Sequence, residues 1–282
     1  MDRPVLQSLE ARPTREGAGV RLRRAFGFHE AGLLDPFLLL DWFRSRRPED
    51  YAAGFPWHPH RGIVTITLLL EGFLEHGDSL GHREVLGPGE VQWMTAGRGI
   101  LHQEMPRGSE DGCLHGFQLW LNLPARRKLE PPAYRTLRRG DLPEAEAQGV
   151  RLLGIAGEAG GLRGPAGDPD TDPQLLLARL EPGAVLRLPL PPGHEVFAFI
   201  YEGEGAAGPE GAGHPAAEGR LLRFGPGEAL RLHAGAAGLS ALVAGGRPLR
   251  EPIAWHGPIV MNTREEIAAA LAELEAGTFG AS

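Results

Sequence analysis

The chain has 282 residues, more than one average domain, so one large or two medium domains with sizeable cores are expected. Acidic residues outnumber basic ones by 36 to 29, and a formal net charge of −7 argues against direct nucleic-acid binding. The single cysteine, Cys113, excludes an internal disulfide; no apolar leader follows Asp2 and Arg3, and no apolar run is long enough to span a bilayer, so a cytoplasmic protein away from membranes is expected.

Taken in chain order, strand and turn signals dominate. Basic clusters at Arg21, Arg23 and Arg24, at Arg44, Arg46 and Arg47, and at Arg126, Arg127 and Lys128 read as solvated faces or loop anchors. Short apolar runs at 37–40, 63–70, 91–94 and 117–121 are punctuated by Gly and Pro, a pattern that predicts a β-sandwich or barrel. The stretch 123–134 reads as a linker between modules, and 142–148 as a weak helix. Segments 157–173 and 205–219, rich in Gly, Ala, Pro and Asp, read as mobile surface loops. Only the end of the chain predicts a firm helix: Thr263 and Glu266 form a capping-box pattern, Ile267, Leu271 and Leu274 recur at helical spacing, and Gly277 is placed to stop it.

The chemistry-bearing residues cluster between 58 and 104. His58 and His60 lie in HPHRG, His102 and Glu104 in LHQEM, and each pair is separated by one residue. On an extended strand residues i and i+2 project to the same face, so both pairs can point into one cavity. Three imidazoles and a carboxylate suit a divalent transition metal and leave positions open for water or substrate. The remaining eight histidines show no comparable pairing and read as ordinary polar residues. Arg61 reads as an ion-pair former behind the ligands, Gly62 as a residue permitting a close turn, and His76 and Asp78 as parts of a hairpin turn. GRG at 97–99 lacks the lysine of a phosphate loop, and Cys113 lies apart from the ligand pairs.

An internal repeat serves as a control. LLEG at 69–72 matches IYEG at 200–203, and GPGE at 87–90 recurs at 225–228, so two related β modules lie in tandem. The repeat carries His58 and His60 onto Pro189 and Pro191, and His102 and Glu104 onto Ser240 and Leu242. Confinement of all four donors to the first module favours a specific site there.

FPWHPHRGIVTITLLLEGFLEHGDSLG, followed by GPGEVQWMTAGRGILHQEMP and LHGFQLWLNLP, resembles the N-terminal cupin of the pirin family; the tail REPIAWHGPIVMNTREEIAAALAELEAGTFG resembles its C-terminal segment. The resemblance implies an all-β bicupin: two tandem antiparallel jelly-roll barrels facing one another, with a C-terminal helix. With the linker reading, this gives an N-terminal metal-binding cupin domain over 1–128 and a metal-free C-terminal cupin domain over 129–282 that ends in the amphipathic helix. It also implies one metal held by His58, His60, His102 and Glu104, with Fe(II) the first expectation; Ni, Mn, Co, Cu or Zn suit the same donors. A departure from the common pattern is Val64, where many relatives carry glutamate; Glu195 stands at that place in the second module.

The activity so implied is quercetin 2,3-dioxygenase: ring opening of a flavonol or related enol by O2 with release of carbon monoxide. Glu104 is the catalytic proton acceptor in this reading. Phe55, Trp57, Trp93 and Met94 are candidates for the pocket that holds the planar substrate. The alternative implied by the same resemblance is a metal-dependent regulatory or binding protein whose protein partner is a transcription factor or metabolic enzyme. A monomer is the expected state.

Overall fold

β-Branched and aromatic runs separated by Gly and Pro become strands throughout the computed structural model, which describes residues 1–281. Among these residues no helix is long and apolar enough to cross a membrane. The chain divides into two units, each with its own sheet system and core.

The unit that carries the histidine pairs consists of 12–33, 37–139 and the segment from Leu249 onward. Its larger antiparallel sheet has seven strands in the order Ala133–Leu137, Val91–Thr95, Ile63–Glu71, Leu114–Asn122, Phe37–Ser45, Val20–Phe26, Arg12–Glu16. A four-stranded sheet runs Phe55–His60, Ile100–Arg107, Phe73–Asp78, Arg83–Leu86. The strand Phe55–His60 lies at the edge of that sheet, the position where Pro56 and Pro59 cost no ladder hydrogen bond facing outward. Leu38, Leu39, Ile63, Met94, Ile100, Trp120 and Val260 form one of its apolar clusters.

Polar residues interrupt the buried strands of the larger sheet at matched register. Gln92 pairs with Thr67, Thr67 with Gln118, Gln118 with Asp41 and Asp41 with Arg24, giving a polar row across five strands. In an antiparallel sheet such directly opposed residues share a face, and the hydrogen bonds among them show which one.

The other unit comprises Met1–Ala11, Leu34–Pro36 and Gly140–Pro248. Its nine-stranded antiparallel sheet is centred on the long strands Glu195–Ala207 and Ala229–Gly246. Leu188, Val196, Ala198, Ile200, Leu222, Leu230 and Val243 are among its core residues, all 2% exposed or less.

Several expectations are corrected here. Residues 144–147 form a strand rather than a helix: Glu144–Ala147 pairs with Val150–Ala156 through a two-residue turn in which Gln148 and Gly149 both have positive φ, 52° and 74°. That is the backbone of a tight hairpin, whose twist matches its flanking strands. The segment 205–219 is a hairpin too, since Glu195–Ala207 continues into it and His214–Ala217 pairs back along the same strand. Within 157–173, Glu158–Ala159 pairs with Leu162–Arg163, and the buried Asp168 accepts from the amides of Asp170 and Thr171 and from the Thr171 hydroxyl.

The division at 128/129 also differs from the observed one. Ala133–Leu137 pairs with Val91–Thr95, so the stretch 123–134 leads into a strand of the first-half unit instead of out of it. At the other end of the chain, Val5–Glu10 pairs with Arg220–Phe224 and so belongs with the second half. The C-terminal helix Arg264–Glu275 has the expected capping box, but it buries Ile267 and Ala270 among Ile259, Met261, Leu101 and Phe279, in the unit that carries the histidine pairs. An amphipathic stripe announces that a helix must be covered, without saying by which sheet.

Candidate metal centre

The edge strand and its neighbour bring the predicted donors together by register. His58 stands directly opposite His102, and Ile100 opposite His60; a register shift between His102 and Glu104 places Glu104 opposite Phe55. His58, His60 and His102 each offer a ring nitrogen within 4.8 Å of the others'. His60 and His102 are 2% and 0% exposed, and His58 is half-buried.

Backbone carbonyls select the tautomers. His58 donates from Nδ1 to the carbonyl of Pro56 at 2.8 Å, and His60 from Nδ1 to the carbonyl of Pro258 at 3.3 Å. Both therefore turn Nε2 inward, where the two nitrogens stand 3.1 Å apart. Burial, with His58 reinforcing it, holds the His60 imidazole well below its ordinary pKa. Burial and the neighbouring His60, His58 and His76 do the same for His102. Neutral imidazoles are the form that binds a metal.

His102 provides the test of fit. Both its ring nitrogens are buried and neither has a hydrogen-bond partner within the protein. A buried polar atom left unpaired costs about 1–3 kcal/mol, and a cation at the convergence of the three imidazoles would give a partner to one of these two nitrogens. The donor set fits a divalent transition metal.

Glu104 is buried beside this cluster at 1% exposure but outside the group of mutually close donor atoms. Its Oε1 accepts from the Thr67 hydroxyl and from Gln92 Nε2, each at 3.2 Å, and its Oε2 accepts from Gln118 Nε2 at 3.0 Å. Gln118 is in turn oriented by Trp120, whose Nε1 donates to Gln118 Oε1 at 3.1 Å. The polar row of the larger sheet thus faces Glu104 and fixes its carboxylate. Thr67, Gln92 and Gln118 were not singled out in the sequence, although each is a polar residue inside a buried strand.

A cavity of about 560 Å3 opens beside His58 and His60. Phe28, Trp57, Trp120 and Trp255 give it aromatic walls, and the Arg24–Asp41 ion pair adds a charged one. Burial raises the Asp41 carboxyl to about 6 against the opposing pull of Arg24. Of the four predicted pocket residues, Phe55 and Trp57 line the cavity. Trp93 and Met94 do not: both are buried, and Met94 packs with Ile63, Ile100 and Trp120. The strand Val91–Thr95 is buried on both faces, so alternation could not tell which face looks into the site.

His76, read as a turn residue, lies against the site. Its ring centroid is 5.5 Å from that of His102, it stacks on Tyr134 at 4.4 Å, and its Nε2 is 3.2 Å from Asp78 Oδ2. Asp78 also accepts from the amides of Leu80 and His82, as expected of a turn residue. Cross-strand pairing of His76 with Glu104 and of Asp78 with His102 explains the proximity, and no local motif announces it. Cys113 is buried, and burial with Glu71 nearby raises its thiol to about 11. It is no nucleophile in this state.

The Pirin family model matches residues 19–121, and the model of the Pirin C-terminal cupin domain matches residues 175–280. A Pseudomonas aeruginosa protein named "Putative quercetin 2,3-dioxygenase" is 45% identical over 284 residues, covering 98% of this chain and 97% of its own. Human pirin is 41% identical over 270 residues, covering 95% of this chain and 90% of its own. Among solved structures, a quercetin 2,3-dioxygenase from Acinetobacter baumannii superposes with a TM-score of 0.90 at 30% identity, covering 99% of both chains.

Proposed function

The chain belongs to the pirin family, with two cupin domains, and from that premise we propose that it is a metal-dependent dioxygenase. Its reaction would open the heterocyclic ring of a flavonol such as quercetin with O2 and release carbon monoxide. The observation that carries this reading is the convergence of the imidazoles of His58, His60 and His102 beside an aromatic cavity. The similarity to proteins named as quercetin 2,3-dioxygenases supports it.

His58, His60, His102 and Glu104 would hold the metal, with Fe(II) the expected ion. When bound, the ion acidifies an enolic hydroxyl and stabilises the resulting electron-rich anion toward O2. The protein's own contributions are distinct. The walls formed by Phe28, Phe55, Trp57, Trp120 and Trp255 bind a planar aromatic ring and exclude water from it. Glu104 takes the hydroxyl proton on its carboxylate, and Thr67, Gln92 and Gln118 keep that carboxylate from swinging away. The carbonyls of Pro56 and Pro258 hold the imidazoles of His58 and His60 in the ligating tautomer.

The test is oxygen uptake with quercetin by protein stripped of metal and reloaded separately with Fe(II), Ni(II), Mn(II), Co(II), Cu(II) or Zn(II). At least one ion should give uptake with one carbon monoxide per O2, and His60→Ala should abolish it. Protein loaded at one metal per chain yet inert toward a panel of flavonols would sink the proposal.

A further inference from the structure

Lys128 belongs to the basic run Arg126, Arg127, Lys128, yet it is 1% exposed. Its Nζ donates to the carbonyl of Gly62 at 2.8 Å, to Asn122 Oδ1 at 2.7 Å and to the carbonyl of Val260 at 3.0 Å. An ammonium has three donors and no acceptor, so three oxygens satisfy it fully. They come from three places in the sequence: the turn after His60, the end of the strand Leu114–Asn122, and the C-terminal hairpin of Ala254–His256 with Ile259–Met261.

The same hairpin reaches the metal centre. Between its two strands lies Pro258, whose carbonyl accepts from His60 Nδ1 and also from the Arg61 amide at 3.4 Å. Two residues on, the Val260 amide donates to the carbonyl of Arg61 at 3.1 Å. The approach is close enough that a Cβ on Gly62, whose φ is +77°, would stand 2.0 Å from the Val260 carbonyl oxygen. His60 and Lys128 therefore hold neighbouring carbonyls of one hairpin, and the first of those carbonyls selects the His60 tautomer.

We propose that Lys128 is a positioning residue of the metal centre: it clamps the C-terminal hairpin onto the turn after His60 and so keeps Pro258 where it orients the imidazole. The inference rests on the metal-centre reading above. Burying an ammonium is costly, and an apolar side chain would fill the space at less expense; what the lysine adds is direction, toward three named oxygens. Burial pulls its pKa down to about 7, with Glu251 and Glu266 opposing.

Lys128→Met, which keeps the stem and removes the donors, tests the clamp with two measurements on the full chain. Affinity for Zn(II) and Fe(II), by competition against a chelator, should fall about 10–100-fold, the scale seen when the outer partner of a ligating histidine is lost. In metal-free protein, the side-chain 15N shifts of His60 should move from the Nδ1–H tautomer toward a mixture, which loss of stability alone would not produce. Asn122→Ala, which removes one of three acceptors, should shift both readouts less and in the same direction, and it decides the matter if Lys128→Met fails to fold. Arg127→Met, whose guanidinium pairs with Glu130 near the surface, should leave both readouts unchanged. Folded variants at Lys128 and Asn122 with wild-type metal affinity and an unmoved His60 tautomer would overturn the clamp. Wild-type protein that binds no metal would instead refute the metal-centre reading, and the tautomer would then decide the clamp by itself.

Discussion

His115 shows how a single buried imidazole can govern acid stability away from the metal centre. Its Nε2 accepts from Trp42 Nε1 at 3.0 Å, which requires that nitrogen to be unprotonated. Burial, reinforced by Arg44, pulls its pKa from 6.5 to about 4. In the unfolded chain the same group titrates near its ordinary value, so the unfolded state binds the proton first. The contribution is therefore complete above pH 6.5 and lost as pH falls through about 4, on the order of 3 kcal/mol in all. Urea unfolding at pH 7 and pH 4 should show wild type losing that much more stability than His115→Gln. At this scale the three-histidine cluster was legible, because His58, His60 and His102 carry their own geometry in their spacing on strands. Lys128, Pro258 and His76 were not, because what matters about each is a partner remote in sequence.

At the scale of elements, local chemistry wrote some structures into the chain and left others ambiguous. The C-terminal helix was legible down to its cap: Thr263 Oγ1 accepts from the Glu266 amide at 3.2 Å, and Glu266 Oε2 accepts from the Thr263 amide at 2.9 Å. Thr263→Ala should cost about 1 kcal/mol in chemical unfolding, and Thr263→Ser almost nothing. The hairpin at Glu144–Ala147 was not legible, since Glu and Ala are strong helix formers and a run of four alternating residues is too short to outweigh that preference. The segment 205–219 misled for a related reason: glycine and alanine signal loops, but here they continue a strand whose neighbours are on both sides. The helix also ties back toward the metal centre, for Glu273 pairs with Arg61 and the Arg61 guanidinium lies 4.4 Å from the centre of the Phe279 ring.

Across the whole molecule, the donors are confined to one of two units that each possess a core. A ligand that binds only the folded form stabilises it by about 2.7 kcal/mol at a hundredfold excess over Kd. Calorimetry at increasing metal concentration should therefore raise the unfolding of the unit that contains His60, and His60→Ala should remove the rise. The tandem repeat was legible in LLEG and GPGE, and it led to the two modules. The exchange of chain ends was not, because a repeat marks which segments are alike and says nothing of which sheet edge a terminal strand will complete.

That exchange sets an order of events in biosynthesis. His60 leaves the ribosome 198 residues before Pro258, the residue whose carbonyl orients it. At about 5–20 residues per second, the interval is roughly 10–40 s. During that time the nascent first half holds its imidazoles without the hairpin that fixes them, and the histidine cluster reaches its finished geometry only when nearly the whole chain has been translated.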